Sequence, residues 1–355
     1  MALSNLADFT AHSGQCYAQH GHSSKFFPPV QLTILSQSTS TWTEDHLHQI
    51  ALLGAPIEEG TGRRGCVMGP AAYRTAGLRE ELEALGFDVA DLGDAQPDPA
   101  LDVPEHDPKL KHLRKVAGWT RSLARHAETL AMGPQLPIYM GGDHALALGT
   151  LAGHAAAAAR IGRPLFVLWL DAHSDFNTFE STVSGNLHGT PLAFACGLPG
   201  FDVVMGEPLR HRLDPANLCL LGLRSVDPPE RQMIKDLGVT AHDMRAIDET
   251  GIARLLAPFL ERCAAANGLL HVSLDVDFID PDIAPAVGTT VPGGVTFREA
   301  HLVMEMLHDS GLVTSLDLVE LNPFLDDRGR TARLMVDLTA SLFGRRIMDR
   351  PTRSF

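Results

Sequence analysis

Short apolar runs alternate with amphipathic stretches along most of the 355-residue chain. The apolar runs have the length and the β-branched or aromatic character that is typical of strands. The predicted strands lie at 50–54, 87–92, 138–140, 165–170, 218–223 and 313–318, with a further strand ending at 273–277. The amphipathic stretches predict helices over 70–85, 109–132, 145–160, 296–308 and 331–346, and one that begins near 228.

This alternation predicts an α/β fold: a single domain of three layers, α/β/α, with a mostly parallel central sheet. The domain is expected to cover 48–348, because no internal repeat or linker interrupts the pattern. Residues 1–47 are rich in Ser, Thr, Gln and His and show no sustained period, so we expect a flexible amino-terminal extension. Residues 349–355 are expected to form a carboxy-terminal tail.

Polar residues follow the apolar run 165–170 directly, as Asp171, His173 and Asp175. If strand geometry persists to this point, alternate side chains point to the same face. Two carboxylates and an imidazole provide oxygen and nitrogen ligands without a thiolate, which suits a hard or borderline divalent ion. For this stretch alone, an ordinary polar turn at the end of a strand is the alternative.

Two other strand ends carry similar side chains. Asp275 and Asp277 share a face by the same period of two, and the turn at Gly141 and Gly142 leads to His144. Sites in parallel α/β sheets form at the carboxyl ends of the strands, so the three groups are expected to meet. Six such ligands are too many for one zinc ion and suit two divalent ions that share carboxylates.

The stretches 138–144, 171–178 and 273–281 resemble the three signatures of the ureohydrolases, which include arginase, agmatinase, guanidinobutyrase and formiminoglutamase. The resemblance extends over nearly the whole chain from about residue 49. It implies an arginase that converts L-arginine to L-ornithine and urea and holds two Mn²⁺ ions per chain. In that reaction a hydroxide bridging the two ions attacks the guanidinium carbon.

The resemblance also implies roles for individual residues. One ion is held by His144 and Asp175 and the other by His173 and Asp277, with Asp171 and Asp275 bridging. Asp175 also orients the hydroxide. Glu320 pairs with the guanidinium group, and His188 moves a proton between solvent and the leaving amine. A lone loop histidine is usually only a solvated residue, but His188 lies 13 residues beyond a candidate ligand, in a loop that begins at the site, which favours an acid–base or proton-relay role.

A second set of residues favours arginine over other guanidino compounds, again by resemblance. Asn177, Ser184 and Asn186 hold the substrate carboxylate, Asp227 and Glu230 receive its α-amino group directly or through water, and Thr289 is a further pocket residue. The stretch 227–230 is also typical of a plain helix start. Two departures from the family pattern are Ser225, where many arginases have Asp, and Phe278–Ile279, where Gly-Leu is usual.

Composition narrows the other possibilities. A net charge of −14 argues against nucleic-acid binding and is compatible with a cationic substrate. The sequence has no run of 18 apolar residues, so no membrane span is expected. Five scattered cysteines without a CxxC pair, and no visible secretory signal, favour reduced thiols in a cytoplasmic protein.

Three alternative functions remain open. Another ureohydrolase would act on agmatine or 4-guanidinobutyrate. A two-metal phosphoesterase would need an Arg or Lys clamp for phosphate, which is absent near the motifs. A non-catalytic, metal-stabilised scaffold would not need His188 and Glu320. The metal could also be cobalt, nickel, iron or zinc. Because family members form trimers or hexamers, the resemblance implies a homo-oligomer.

Overall fold

Eight parallel strands form the central sheet of the computed structural model, which describes residues 49–99, 108–346 and 348. The strands are β1 (Gln49–Ala55), β2 (Asp88–Asp94), β3 (Leu136–Gly141), β4 (Leu165–Leu170), β5 (Leu218–Leu223), β6 (Thr240–Asp243), β7 (Leu269–Asp275) and β8 (Val313–Val319). Their order across the sheet is β2-β1-β3-β8-β7-β4-β5-β6. The extension predicted at 1–47 and the tail at 349–355 lie outside the described residues.

Eleven α-helices accompany the strands within the described ranges. They are α1 (Gly69–Thr75), α2 (Leu78–Ala84), α3 (Leu113–Ala131), α4 (Leu146–Ile161), α5 (Pro191–Ala195), α6 (Asp202–Met205), α7 (Pro228–Leu237), α8 (Met244–Thr250), α9 (Ile252–Ala265), α10 (Phe297–Ser310) and α11 (Arg330–Leu342). Within this part of the chain, no helix is both long and apolar enough to cross a lipid bilayer.

The sheet separates two hydrophobic cores, because alternate strand residues point to opposite faces. In β4, Leu168 belongs to one core, which also contains residues of α1, α2 and α8 to α11. Its neighbour Trp169 belongs to the other core, together with residues of α3 to α7. Both side chains are fully buried. The predicted three-layer α/β/α architecture is confirmed, and every strand pairing described is parallel.

The helix predicted over 70–85 is wrong, because the chain breaks it into α1 and α2. Gly77 lies at the junction with φ of +86°, a left-handed conformation that ends one helix and precedes the next. The apolar residues Tyr73, Leu78 and Leu82 nevertheless face one core. The hydrophobic period therefore continues across the break, and the pattern alone predicted a single helix.

The stretch 240–265 was not assigned in the sequence and contains β6, α8 and α9. Within the described residues, β6 is an edge strand that pairs with β5 alone, and its residues are partly or largely exposed. Neither face of this four-residue strand is fully buried, so its sequence has no alternating apolar pattern to predict it. By contrast, the predicted cap of α10 is present: Thr296 accepts the Glu299 N–H at 3.3 Å, and Glu299 accepts the Thr296 N–H at 2.7 Å.

Candidate metal centre and substrate pocket

Four neighbouring strands in the middle of the sheet, in the order β3-β8-β7-β4, deliver the candidate site from their carboxyl ends. His144 follows β3, Glu320 follows β8, Asp275 ends β7, and Asp171 follows β4. Because all four strands run in the same direction, these ends meet at one edge of the sheet. The convergence predicted from the strand ends is therefore present.

The local geometry differs from the predicted alternation. β4 ends at Leu170, so His173 and Asp175 stand in a loop, and Asp175 has φ of +48°. β7 ends at Asp275, and Asp277 belongs to the 3₁₀ turn that follows. The Asp277 N–H donates to Asp275 Oδ1 at 2.7 Å. The period-of-two argument was wrong for these residues. The position of Asp277 is set by the hydrogen bond from its backbone N–H to the Asp275 carboxylate, and not by strand geometry.

The first group of candidate ligands surrounds one imidazole nitrogen. His144 Nδ1 lies 3.1 Å from Asp171 Oδ2, 3.2 Å from Asp175 Oδ2 and 3.1 Å from Asp275 Oδ2. The other ring nitrogen, Nε2, lies 2.8 Å from the hydroxyl of Ser273. With Nε2–H donating to that hydroxyl, Nδ1 carries a lone pair and faces the three carboxylate oxygens as a fourth electron donor.

The second group is centred on His173, whose Nδ1 lies 3.0 Å from Asp277 Oδ2 and 3.4 Å from Asp171 Oδ1. Asp171 thus lies close to the ligand atoms of both groups, whereas Asp275 lies close only to those of the first. His144 Nδ1 and Asp171 Oδ2 are buried without a hydrogen-bond partner. Buried polar atoms are normally satisfied, so these two unpartnered ligand atoms fit a cation site in the first group. The second oxygen of Asp171, facing His173, fits a second cation beside it.

Negative charge is concentrated in this buried cluster. Burial and the carboxylates of Asp277 and Asp171 raise the pKa of Asp275 well above its ordinary range. Burial and the carboxylate of Asp171 likewise raise the pKa of Asp277 to about 6, against the opposing effect of His173. A divalent cation among these groups would favour their ionised forms and remove most of the mutual repulsion.

Glu320 and His188 form a separate pair beside the candidate ligands. His188 Nδ1 lies 2.8 Å from Glu320 Oε1, and the same oxygen accepts the backbone N–H of His144 at 2.9 Å. Burial by itself would lower the pKa of His188, but the Glu320 carboxylate outweighs it and raises this pKa to about 9. The imidazole is accordingly able to hold a proton at neutral pH.

A cavity of about 140 Å³ lies above the two ligand groups and collects the other candidate residues. Every predicted site residue except Asn186 lines it, and Gly189 and Ser225 contribute as well. Asn186 lines a neighbouring cavity of about 420 Å³. Thr289 lines both cavities, and its hydroxyl donates to Asp277 Oδ2 at 3.2 Å.

The polar rim of the pocket is already hydrogen-bonded in part. Asn177 Nδ2 donates to Asp227 Oδ2 at 3.1 Å, and Asn177 Oδ1 accepts the Ser181 hydroxyl at 2.8 Å. Glu230 accepts the N–H groups of Phe176 and Asp227 at 2.9 and 2.8 Å. Asp227 and Glu230 thus form a capping box on α7. The predicted helix start at 227–230 is therefore observed, and the same two side chains also line the pocket.

Comparison with known proteins adds an independent observation. Residues 48–344 match the family model described as the arginase family. The chain belongs to the arginase family. It is similar to the arginase of Brucella melitensis, at 58% identity over 305 residues, covering 86% of this chain and 99% of that one. It is also similar to the arginase of Agrobacterium fabrum, at 54% identity over 312 residues, covering 88% and 96%.

Among solved structures, the chain resembles the arginase of Bacillus caldovelox, with a TM-score of 0.77 and 39% identity over 85% of this chain and 100% of that one. The predicted family, the α/β fold and the assignment as a hydrolase of this family are thereby confirmed.

Two residues of this arginase-family site had no assigned role in the sequence. Ser273, which bonds His144, was visible as a hydroxyl within an apolar strand. Asp143 is fully buried and accepts the N–H groups of Gly60 and Thr61 at 2.6 and 3.0 Å, which ties the 58–65 loop to the site. The acid in Gly-Gly-Asp-His was apparent, but its partners are more than eighty positions away in the chain.

Proposed function

We propose that this chain hydrolyses L-arginine to L-ornithine and urea at a centre that holds two divalent metal ions, preferably manganese. The observation that carries the proposal is the pair of ligand groups joined through Asp171 beneath a pocket with a polar rim. Oxygen and imidazole ligands suit manganese. When bound, two such ions supply Lewis acidity and lower the pKa of a water molecule, making a nucleophile available near neutral pH.

The proposed ligand sets follow the two groups. His144 and Asp175 would hold one ion, His173 and Asp277 would hold the other, and Asp171 and Asp275 would be shared. Asp171 supports sharing directly, since its Oδ1 faces His173 and its Oδ2 faces His144. For Asp275 the bridging role rests on the family resemblance. Four carboxylates balance the four positive charges of two divalent ions, so the buried centre carries no large net charge.

Glu320 and His188 are proposed to have different roles at the reacting guanidinium group. We propose that ionised Glu320 pairs with the guanidinium and orients its carbon. Burial alone would raise the pKa of Glu320. The nearby His188, and the hydrogen bonds that Glu320 accepts from His188 and from the His144 backbone, lower this pKa, so the carboxylate remains charged. His188, held through Nδ1, has Nε2 available to pass a proton to the leaving amine.

The rim of the pocket accounts for the amino-acid end of the substrate. Asn177, Ser184 and Asn186 are proposed to hold the carboxylate, Asp227 and Glu230 to receive the α-amino group, and Thr289 to complete the pocket. Asn177 has a second Nδ2–H beyond the one given to Asp227, which is the donor that a carboxylate needs. Asp227 supplies negative charge for an ammonium group in the same pocket.

The decisive test is urea release after manganese loading, with arginine, agmatine and 4-guanidinobutyrate compared at equal concentrations. Arginine is expected to be the preferred substrate by a wide margin. Preference for agmatine or 4-guanidinobutyrate would replace the arginase proposal with another ureohydrolase activity. No urea from any of the three, despite bound metal, would favour the non-catalytic scaffold.

We further propose that the protein acts in the cytoplasm as a homo-oligomer, a trimer or hexamer, with 48–348 as its catalytic domain. The four cysteines in the described ranges are all free, and burial raises the pKa of the Cys219 thiol to about 12, which supports reduced, unreactive thiols. The oligomer rests on the family resemblance and is tested by size-exclusion chromatography with light scattering.

A further inference from the structure

Residues 109–111 lie against the loop that carries Ser184 and Asn186. The Lys111 N–H donates to the Gly185 carbonyl at 2.9 Å, and Lys109 Nζ donates to the Glu180 carbonyl at 3.0 Å. Gly185 has φ of +70°, and a Cβ there would lie 1.8 Å from the Lys109 carbonyl oxygen. The two segments are therefore in direct backbone contact, and only glycine fits between them.

The side chain of Lys111 extends this contact to Asn186, which lines the neighbouring cavity of about 420 Å³, called here the mouth cavity. Its Nζ lies 2.9 Å from Asn186 Oδ1. An ammonium group only donates hydrogen bonds, so it must bind the amide oxygen and not the nitrogen. The amide is thereby held with Nδ2 turned away from Lys111. Consistently, the atom nearest to a Cβ placed on Gly62, across the mouth cavity, is Asn186 Nδ2.

This orientation matters for a substrate that carries a carboxylate. An amide NH₂ can donate to a carboxylate, whereas an amide oxygen in the same place would repel it. Asp227, Glu230 and Glu320 line the same pocket and are not among the proposed metal ligands, so a substrate carboxylate near them gains from a nearby cation. Lys111 provides both effects, since it fixes the amide and places a positive charge one hydrogen bond away from it.

We propose that Lys111 is a specificity-determining residue, which positions Asn186 and favours substrates bearing an α-carboxylate. The inference rests on the proposed function, because it takes the substrate to be an amino acid. Lys111 is exposed, its backbone bond to Gly185 does not depend on its side chain, and it contacts neither candidate ligand group. Replacing its side chain should thus change recognition at the mouth without disturbing the reacting end.

The test compares Lys111→Met with Lys111→Arg, which keeps a charged donor, and with Lys115→Met as a matched control. Lys115 is also exposed, but it pairs with Glu59 at 3.5 Å instead of a proposed substrate-binding residue. Steady-state kinetics with arginine would be combined with calorimetric binding of L-ornithine, which has the carboxylate, and putrescine, which lacks it. Thermal unfolding would verify that each variant is folded.

Lys111→Met is expected to raise KM for arginine and Kd for L-ornithine by about three- to tenfold, with kcat within about twofold. Putrescine binding should stay unchanged, and Lys111→Arg and Lys115→Met should resemble the wild type. Unchanged L-ornithine binding in Lys111→Met, or an equal loss for putrescine, would overturn the inference while leaving arginine hydrolysis intact. A wild-type enzyme that releases no urea from arginine would instead overturn the proposed function, and this inference with it.

Discussion

His188 and the backbone of His144 meet at one oxygen atom of Glu320. His188 Nδ1 lies 2.8 Å from Oε1, and the His144 N–H donates to the same atom at 2.9 Å. Glu320 has φ of +63°, a left-handed conformation that costs a non-glycine residue about 1–3 kcal/mol. The surrounding structure therefore holds this carboxylate in a position where the proposed proton carrier and a candidate metal ligand share it.

His188→Ala should slow turnover by about 10²- to 10⁴-fold while metal content stays at the wild-type level. The physical reason is that His188 faces Glu320 and lies outside both ligand groups. Measurements of kcat and of metal content on the same preparation would check this, with added imidazole expected to restore part of the activity. His211→Ala, at an exposed histidine, serves as the control. Loss of metal from a folded His188→Ala protein would make His188 a ligand.

Two replacements should distinguish a shared metal ligand from an unshared one. Asp171 belongs to both ligand groups and His173 to only one. After manganese loading and desalting, Asp171→Asn is expected to lose both ions, whereas His173→Asn should keep the ion beside His144. Elemental analysis and anomalous diffraction would count the ions. A wild-type protein that holds a single ion when fully loaded, or an Asp171→Asn variant that keeps its full content, would contradict the two-ion centre.

Much of this site could be predicted because parallel strands bring their carboxyl ends to one edge, and polar residues after apolar runs mark those ends. The order β3-β8-β7-β4 could not, since it depends on tertiary packing and not on position in the chain. The orientation of Asp277 was also hidden. Its turn is formed by a hydrogen bond to Asp275, whereas the sequence suggested a continuing strand.

Contacts between segments that are distant in the chain could not be predicted from the sequence, for a similar reason. Lys111 and Asn186 are 75 positions apart, and neither hydrophobic periodicity nor a local motif relates them. The same holds for Asp143, whose carboxylate binds backbone N–H groups that any residue would offer. By contrast, the cap formed by Thr296 and Glu299 depends on residues three apart, so the sequence alone was sufficient.

Asp275→Asn should stabilise the metal-free protein and destabilise the loaded one. In chelator, the change removes one of several buried carboxylates, and the free energy of unfolding should rise by on the order of 1 kcal/mol. With manganese, a proposed ligand is lost, so stability should fall relative to wild type. The asparagine oxygen can still accept the Asp277 N–H, and its NH₂ can donate to His144 Nδ1. Urea unfolding with and without metal would measure both effects.

The stability difference between Asp275→Asn and the wild type in chelator should depend on pH. Its direction follows from the pKa of Asp275, which burial and the carboxylates of Asp277 and Asp171 raise. The ionised carboxylate destabilises the metal-free wild type fully above its folded pKa. This penalty shrinks as the pH falls below that value and is gone below the ordinary pKa of an unfolded aspartate. The advantage of Asp275→Asn in chelator should accordingly shrink on acidification. A variant that is less stable than wild type in chelator at neutral pH would contradict the proposed repulsion.

The strongest prediction on substrate choice concerns Asn177 and Ser184. Arginine differs from agmatine by one carboxylate, and agmatine would leave the polar groups that face it unpaired. That loss costs about 1–3 kcal/mol for a buried side chain such as Asn177 and less for Ser184, which is exposed. A site of this kind can discriminate by about 10⁴-fold. Asn177→Ala combined with Ser184→Ala should therefore narrow the gap, chiefly by lowering kcat/KM for arginine while the value for agmatine stays nearly constant.

The measurement is kcat/KM for both substrates in the wild type, the double variant and a matched control, Asn217→Ala with Ser310→Ala, whose residues lie outside the pocket lining. The control should keep the wild-type preference. A metal centre without a polar rim would treat the two guanidinium groups nearly alike, because it contacts only the reacting end. Comparable wild-type values for arginine and agmatine, or a preference for agmatine, would thus defeat the proposed arginine specificity while leaving the ureohydrolase chemistry in place.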